Sequence, residues 1–108
     1  MPKQSLQTFE LHVLLAMLRH RGETYSVPLV LELEKRMGRP VAQAAVFIAL
    51  SRLEKKSLVS SRLVEPETGR ARRYFRVTKQ GLEVARESRL EHARLWHGLD
   101  RLLKTHKA

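Results

Sequence analysis

The stretch RPVAQAAVFIALSRLEKKSLVSSRLVEPETGRARRY, residues 39–74, is an amphipathic segment followed by two strand-like runs around an arginine-rich loop. Within residues 41–56, Val46, Leu50 and Leu53 recur at i, i+4 and i+7, so they share one buried face of a helix. Gln43, Ile48, Ser51, Arg52 and Lys55 fall on the opposite side. Past Ser57, residues 58–64 are rich in Leu and Val with polar residues between them, and residues 73–77 alternate well enough to pair with them antiparallel. Pro66 and Gly69 mark the segment between as a turn. Arg70, Arg72 and Arg73 place three permanent cations at its exit, where a phosphate backbone can be gripped. A helix followed by a basic β-hairpin is a signature of DNA binding.

Outward from this stretch, the composition points the same way. The chain of 108 residues suits one domain with a modest core, and its 21 Lys and Arg against 11 Asp and Glu give a formal charge of +10, from which an anionic partner is expected. No apolar run approaches the roughly 20 residues that span a bilayer, and the N-terminus lacks the apolar core and cleavage site of a signal peptide. A cytoplasmic protein is expected. The absence of cysteine removes disulfides, thiolate ligands and a thiol nucleophile together.

Upstream, residues 1–7 are polar and expected to fray, with Leu6 alone tied down. Thr8 is a suitable N-cap for a first helix over residues 9–21, which Gly22 stops. Leu11, Val13, Leu14, Leu15, Met17 and Leu18 cover too much of its circumference for packing on one side, so it should meet the core and a second surface, such as another subunit. Ser26 and Pro28 signal the start of a second helix running to about Met37, with Val30, Leu33 and Met37 inward and Gly38 as C-cap. Arg39-Pro40 then turns into the third helix, completing a helix-turn-helix.

Downstream, Thr78 should cap a long final helix through about residue 105, roughly 40 Å at the standard rise. Gly81 costs little in its first turn, whereas Gly98, in the interior, marks a bend or a close helix contact. Its far half, with Leu95, Trp96, Leu99, Leu102 and Leu103, cannot be buried by so small a domain, and a two-fold dimer satisfies it. The expected fold is mainly α with a small β-hairpin: a winged helix-turn-helix over residues 1–78 and a C-terminal dimerisation helix over residues 79–108.

The sequence resembles small PadR-type winged-helix transcriptional regulators along nearly its whole length. The resemblance rests on Phe9-Glu10-Leu11, on the run from Leu50-Ser51-Arg52-Leu53-Glu54 through Lys55-Lys56-Ser57-Leu58-Val59, and on Tyr74-Phe75-Arg76-Val77-Thr78-Lys79-Gln80-Gly81. It implies a homodimer that represses transcription at an inverted-repeat operator and is often released by an aromatic ligand. Such regulators commonly carry Tyr where this chain has Phe47, Gly where it has Ala44 and Ser57, and Gly after the tyrosine where it has Ser26. The Tyr hydroxyl that Phe47 replaces is a phosphate donor.

The candidate DNA-binding residues are therefore Gln43, Phe47, Ser51, Arg52, Lys55, Arg70, Arg72 and Arg73. Gln43, able to bond adenine through two hydrogen bonds, is the best base reader of an alanine-rich helix start. Arg52 could instead pair with Glu54 or Glu32. Leu95, Trp96, Leu99, Leu102 and Leu103 form the candidate dimerisation surface. Trp96 either fills that interface or, with its symmetry mate, walls an apolar slot for a flat aromatic effector. The rival reading is a protein-interaction module that has lost operator binding and docks through Phe47 and Ile48. No catalytic constellation, metal spacing among the histidines, or nucleotide-binding glycine motif is present, so neither an enzyme nor a cofactor or metal is expected.

Overall fold

The computed structural model describes residues 6–105; of the frayed start expected over residues 1–7, residues 1–5 lie outside the described residues, as do residues 106–108. The chain forms α1 (Thr8–Arg19), α2 (Ser26–Met37), α3 (Gln43–Lys55), β1 (Val59–Val64), β2 (Arg72–Val77), α4 (Lys79–Trp96) and α5 (Leu99–Thr105). Val13, Leu14 and Met17 of α1 pack with Leu29 and Leu33 of α2, Val46, Leu50 and Leu53 of α3, and Phe75 of β2 in one buried cluster. The α3 stripe lies inward as its spacing requires. Leu29, one turn before Leu33, completes the α2 stripe, while Val30 and Met37 are only partly buried against it.

The caps depart from expectation at two helices. Gln7, not Thr8, is the N-cap of α1, and its backbone N–H donates to the Glu10 carboxylate at 3.0 Å. Glu10 thereby occupies the third helical position, where a carboxylate reaches back to the cap; with Thr8 as cap that position would fall to the apolar Leu11. The helix also ends at Arg19, with His20 as C-cap and Gly22 beyond it at φ +87°. Tyr25 rather than Ser26 is the N-cap of α2, and Ser26 is buried. Gly38 ends α2 in the left-handed conformation, φ +70°, as the sequence signals.

After α3 the chain reverses through Ser57 at φ +64°, with Leu58 N–H bonded to Leu53 O at 3.0 Å and Ser57 N–H to Glu54 O at 2.9 Å. This pair of bonds is the Schellman arrangement, which favours glycine at the position Ser57 holds. The strands then pair antiparallel in the register Val59↔Val77 to Val64↔Arg72. Thr24 adds a single bridge on the free edge of β2, exchanging both backbone hydrogen bonds with Phe75 at 3.0 and 2.7 Å.

The final helix is broken, which corrects the expectation of one continuous helix from Thr78 to about residue 105. His97 and Gly98 separate α4 from α5, and Gly98 takes φ +83°, a left-handed conformation that no continuing right-handed helix accommodates. Only the start of α4 joins the core, through Gly81, Val84 and Ala85. Leu90, Leu95, Trp96, Leu102 and Leu103 remain exposed, and the molecule measures 59 × 36 × 21 Å.

Thr78 caps α4 as expected: its Oγ1 accepts from Gly81 N–H at 3.0 Å and donates to Ser57 O at 2.8 Å. Gly81 has a role its place in a first turn does not reveal. A Cβ there would press into the Leu58 carbonyl oxygen and stand 2.8 Å from Val77 Cγ1. Gly81→Ala should therefore lower stability at the upper end of the roughly 1–3 kcal/mol typical of overpacking, because backbone rather than a flexible side chain must yield. Urea unfolding with a reduced midpoint and unchanged slope checks this; a midpoint equal to that of the wild type would contradict it.

Candidate nucleic-acid interface

The outward side of α3 carries Gln43, Phe47, Ile48, Ser51, Arg52 and Lys55, all exposed. Each of these residues has a definite setting. Gln43 Nε2 donates to Ser26 Oγ at 3.1 Å, which ties the first residue of α3 to the start of α2. Phe47, 42% exposed, presents its ring edge-on to buried Phe75, with centroids 6.2 Å apart and planes at 87°. Ile48 is 55% exposed. Arg52 bonds neither carboxylate considered for it: its Nη1 donates to Gln7 Oε1 at 2.9 Å, while Glu32 accepts from Arg36 at 2.8 Å and Glu54 from Ser61 Oγ at 2.6 Å.

Alternation along the hairpin sorts the wing's arginines onto different surfaces. Arg73 faces the α3 side, where its Nη1 donates to Ser61 Oγ at 3.0 Å, and Ser61 in turn donates to Glu54. Arg72 lies on the opposite face with Tyr74 and Arg62. Its guanidinium stands 4.2 Å over the centroid of the Tyr25 ring, and the Tyr25 and Tyr74 rings are 5.4 Å apart at 55°. The neighbouring Tyr74, then Tyr25, raises the Arg72 pKa above its ordinary value. Among the described residues, Arg70, in the exposed loop, has no hydrogen-bond or ion-pair partner.

Tyr25, Tyr74 and Glu23 were not among the residues the sequence nominated. Strand parity puts Tyr74 beside Arg72, two residues away on the same face, and that signal was available. No sequence signal places Tyr25 there, because its position follows from the Thr24–Phe75 bridge. Glu23 completes the same contact by accepting Arg62 Nε and Nη2, both at 2.6 Å, and this hydrogen bond lowers the Glu23 pKa.

Behind the interface, Glu10 joins the start of α1 to the end of α3. Its buried carboxylate accepts Lys56 Nζ at 2.7 Å as well as Gln7 N–H. Burial is the largest single influence and pushes the carboxyl pKa up. It is outweighed by the hydrogen bonds from Lys56 and the Gln7 amide, with the charges of Lys56 and Arg52, and the net shift is downward.

The proposed dimerisation residues Leu95, Trp96, Leu99, Leu102 and Leu103 are all exposed at the far end of α4 and along α5, with Trp96 57% accessible. Leu11, Leu15 and Leu18 of α1 and Leu82 and Ala85 of α4 line an open groove of about 460 Å³, rimmed by Arg86, Arg89 and His92. Among the described residues, no three potential ligands gather to hold a metal, and no helix is long and apolar enough to cross a membrane.

Comparison with known proteins places this geometry. A family profile described as "Transcriptional regulator PadR-like family" matches residues 14–87. A PadR family transcriptional regulator from Eggerthella lenta DSM 2243 is 28% identical and superposes with a TM-score of 0.71 over 91% of this chain and 89% of that one. A PadR-like regulator from Bacillus cereus strain ATCC 14579 shares the fold at 23% identity, with a TM-score of 0.72 over 91% and 93% of the two chains. Bacillus subtilis PadR, solved in complex with operator DNA, shares the fold at 12% identity, with a TM-score of 0.65 over 75% of this chain and 46% of that one. No curated protein matches the chain in sequence.

The Glu10 contact has a pH signature. Its folded-state pKa lies below the ordinary 4.5, so its contribution is complete above that value and is lost as the pH falls through the folded one. Thermal melts from about pH 6 to about pH 3 should show Glu10→Gln less stable at the upper end, by about 1–3 kcal/mol, and losing less on acidification than the wild type. Parallel curves would mean that Glu10 does not contribute to the acid lability.

Proposed function

The chain belongs to the PadR-like family of transcriptional regulators, and from that premise we propose that it is a cytoplasmic homodimeric repressor acting at an inverted-repeat operator. The observation that carries the DNA contact is the common exposure of α3 and of the Arg70-bearing wing in a chain of charge +10. Helix α3 enters the major groove and the wing lies on the neighbouring backbone. Gln43, Ser51, Arg52 and Lys55 face the groove and its flanking phosphates. Phe47 packs on Phe75 and supplies no hydroxyl to a phosphate, so affinity rests on the cationic side chains.

This reading makes binding steeply salt-dependent, with a log–log slope of about 0.9 for each phosphate neutralised. Affinity for the best duplex selected from random sequence should fall accordingly as salt rises. Replacing Arg70, Arg72 and Arg73 together by Ala should flatten the slope. An unchanged slope and affinity would remove the wing from the mechanism, and a wild-type chain that selects no duplex would favour docking through Phe47 and Ile48 instead.

The exposed apolar stripe of α4 and α5, with the apolar groove between α1 and α4, supports the homodimer. Fully burying an exposed Leu is worth about 2 kcal/mol, and Leu95, Leu99, Leu102 and Leu103, 38–69% exposed in one copy, would each gain the part still open to water on association. Two-fold symmetry then sets half-site centres about 34–36 Å apart, or a multiple of that. Trp96 in this stripe is also where a flat aromatic effector would bind, releasing DNA only by favouring a dimer with altered recognition-helix spacing. Sedimentation at micromolar concentration should give a dimer, and quenching of Trp96 emission by planar aromatics should accompany loss of DNA affinity. A folded monomer would overturn the dimer; quenching with no change in DNA affinity would leave Trp96 a packing residue.

A further inference from the structure

Three consecutive residues between α1 and α2 hold the wing at three levels. Glu23 accepts both Arg62 nitrogens at 2.6 Å, Thr24 exchanges backbone hydrogen bonds with Phe75, and Tyr25 lies beneath the Arg72 guanidinium, 4.2 Å away, and against Tyr74, 5.4 Å away. The first level fixes β1, the second the middle of β2, and the third the end of β2 nearest the loop. Tyr25 is also the N-cap of α2, whose next residue, Ser26, accepts from Gln43 of α3. One short segment therefore sets the wing and the start of the recognition helix against a common reference.

We propose that Tyr25 is a positioning residue for DNA binding, holding the wing through Arg72 so that the loop cation Arg70 meets the phosphate backbone. The inference rests on the DNA-binding reading above and divides the labour among the wing's arginines. Arg72 holds its guanidinium over the Tyr25 ring, which itself packs against Tyr74, contacts that orient a strand end. Arg73 is directed to Ser61 and, through it, to Glu54 at the end of α3. Arg70 alone of the three has no partner among the described residues, and the seven-residue loop that carries it, 65–71, has no strand pairing of its own. The direction of that loop is inherited from the strand ends. A lysine at position 72 would keep the charge but lose the broad guanidinium that lies over the Tyr25 ring.

The test is the salt dependence of DNA binding by the full chain, using its selected duplex, because the slope counts phosphates and not contacts within the protein. Arg70→Ala should lower the slope by about 0.9, one phosphate. Tyr25→Leu, which removes no cation, should lower it by the same amount, and Arg70→Ala combined with Tyr25→Leu should lower it no further. Arg72→Lys should behave as Tyr25→Leu does, while Tyr25→Phe, which keeps the ring, should retain the wild-type slope. A wild-type slope in Tyr25→Leu or in Arg72→Lys, or additive losses in the double variant, would overturn the proposal. Hydrogen exchange of the DNA-free protein tests it independently. Amides at Leu63, Val64, Arg72 and Arg73 should exchange faster in Tyr25→Leu and Arg72→Lys but not in Arg70→Ala, with the α1 and α3 amides unchanged as evidence of a folded domain. Unchanged wing exchange would overturn the mount even where DNA binding stands, whereas faster wing exchange in a protein that binds no DNA would leave the mount and overturn the reading it serves.

Discussion

The close approach of Gly81 to the Leu58 carbonyl is the constraint on which the rest of the arrangement depends. Leu58 is the hinge between α3 and β1, and Gly81 lies in the first turn of α4, so the contact joins the entry and the exit of the hairpin. Thr78 reinforces it: its N–H donates to Leu58 O at 3.0 Å and its hydroxyl bridges Ser57 O and Gly81 N–H. Leu58 N–H, Leu58 O, Ser57 O, Thr78 N–H and Gly81 N–H, which meet in this crossing, are each hydrogen-bonded. The direction in which α4 leaves the domain is fixed relative to the end of α3. In a two-fold dimer built on α4 and α5, that direction decides how far apart two copies of α3 lie.

A second set of polar contacts mounts α3 at both ends. At its start, Gln43 bonds Ser26, and the preceding Val41 N–H donates to Glu34 Oε2 at 3.0 Å. At its end, Lys56 reaches Glu10 and Arg52 reaches Gln7. A helix whose leading face is largely alanine and isoleucine has few side chains with which to correct a misplaced approach to a base edge. Rigid mounting lowers the ordering cost of binding, and this matters most where each unit makes few specific contacts. The side chains that tether the helix are partly those that would touch DNA, so Gln43 and Arg52 would have to exchange or share their partners on binding.

The parts of this architecture that were legible in the sequence are those whose determinants are local. The Val46, Leu50, Leu53 stripe, the Gly38 stop, the Thr78 cap and the paired hairpin runs each follow from spacing or from one residue's backbone preference. What escaped depends on distant partners. Thr8 is the better cap by residue type, but Glu10 and its ion pair with Lys56 select Gln7. Gly98 signals a bend or a close contact, and a single interior glycine does not say which; the left-handed turn that separates α4 from α5 is one of several outcomes it permits. Tyr25 is silent in sequence because its neighbour Arg72 lies 47 positions away and reaches it only once Thr24 has paired with Phe75.

The same economy bears on why a dimer suits this chain. If α3 and the wing bind DNA as proposed, one copy would bring a single long amide, a few cations around α3 and one loop arginine, a set that would give mostly electrostatic binding, which does not depend on sequence. Two copies on one rigid frame make the second half-site encounter intramolecular, so specificity that one unit lacks arises from requiring two correctly spaced half-sites at once. The gain is lost when the frame sets the wrong spacing, even with every DNA contact intact. In a protein so arranged, the residues that join α4 to the hairpin base would contribute to sequence discrimination without touching a base, and Gly81, buried in the first turn of α4, is the foremost of them.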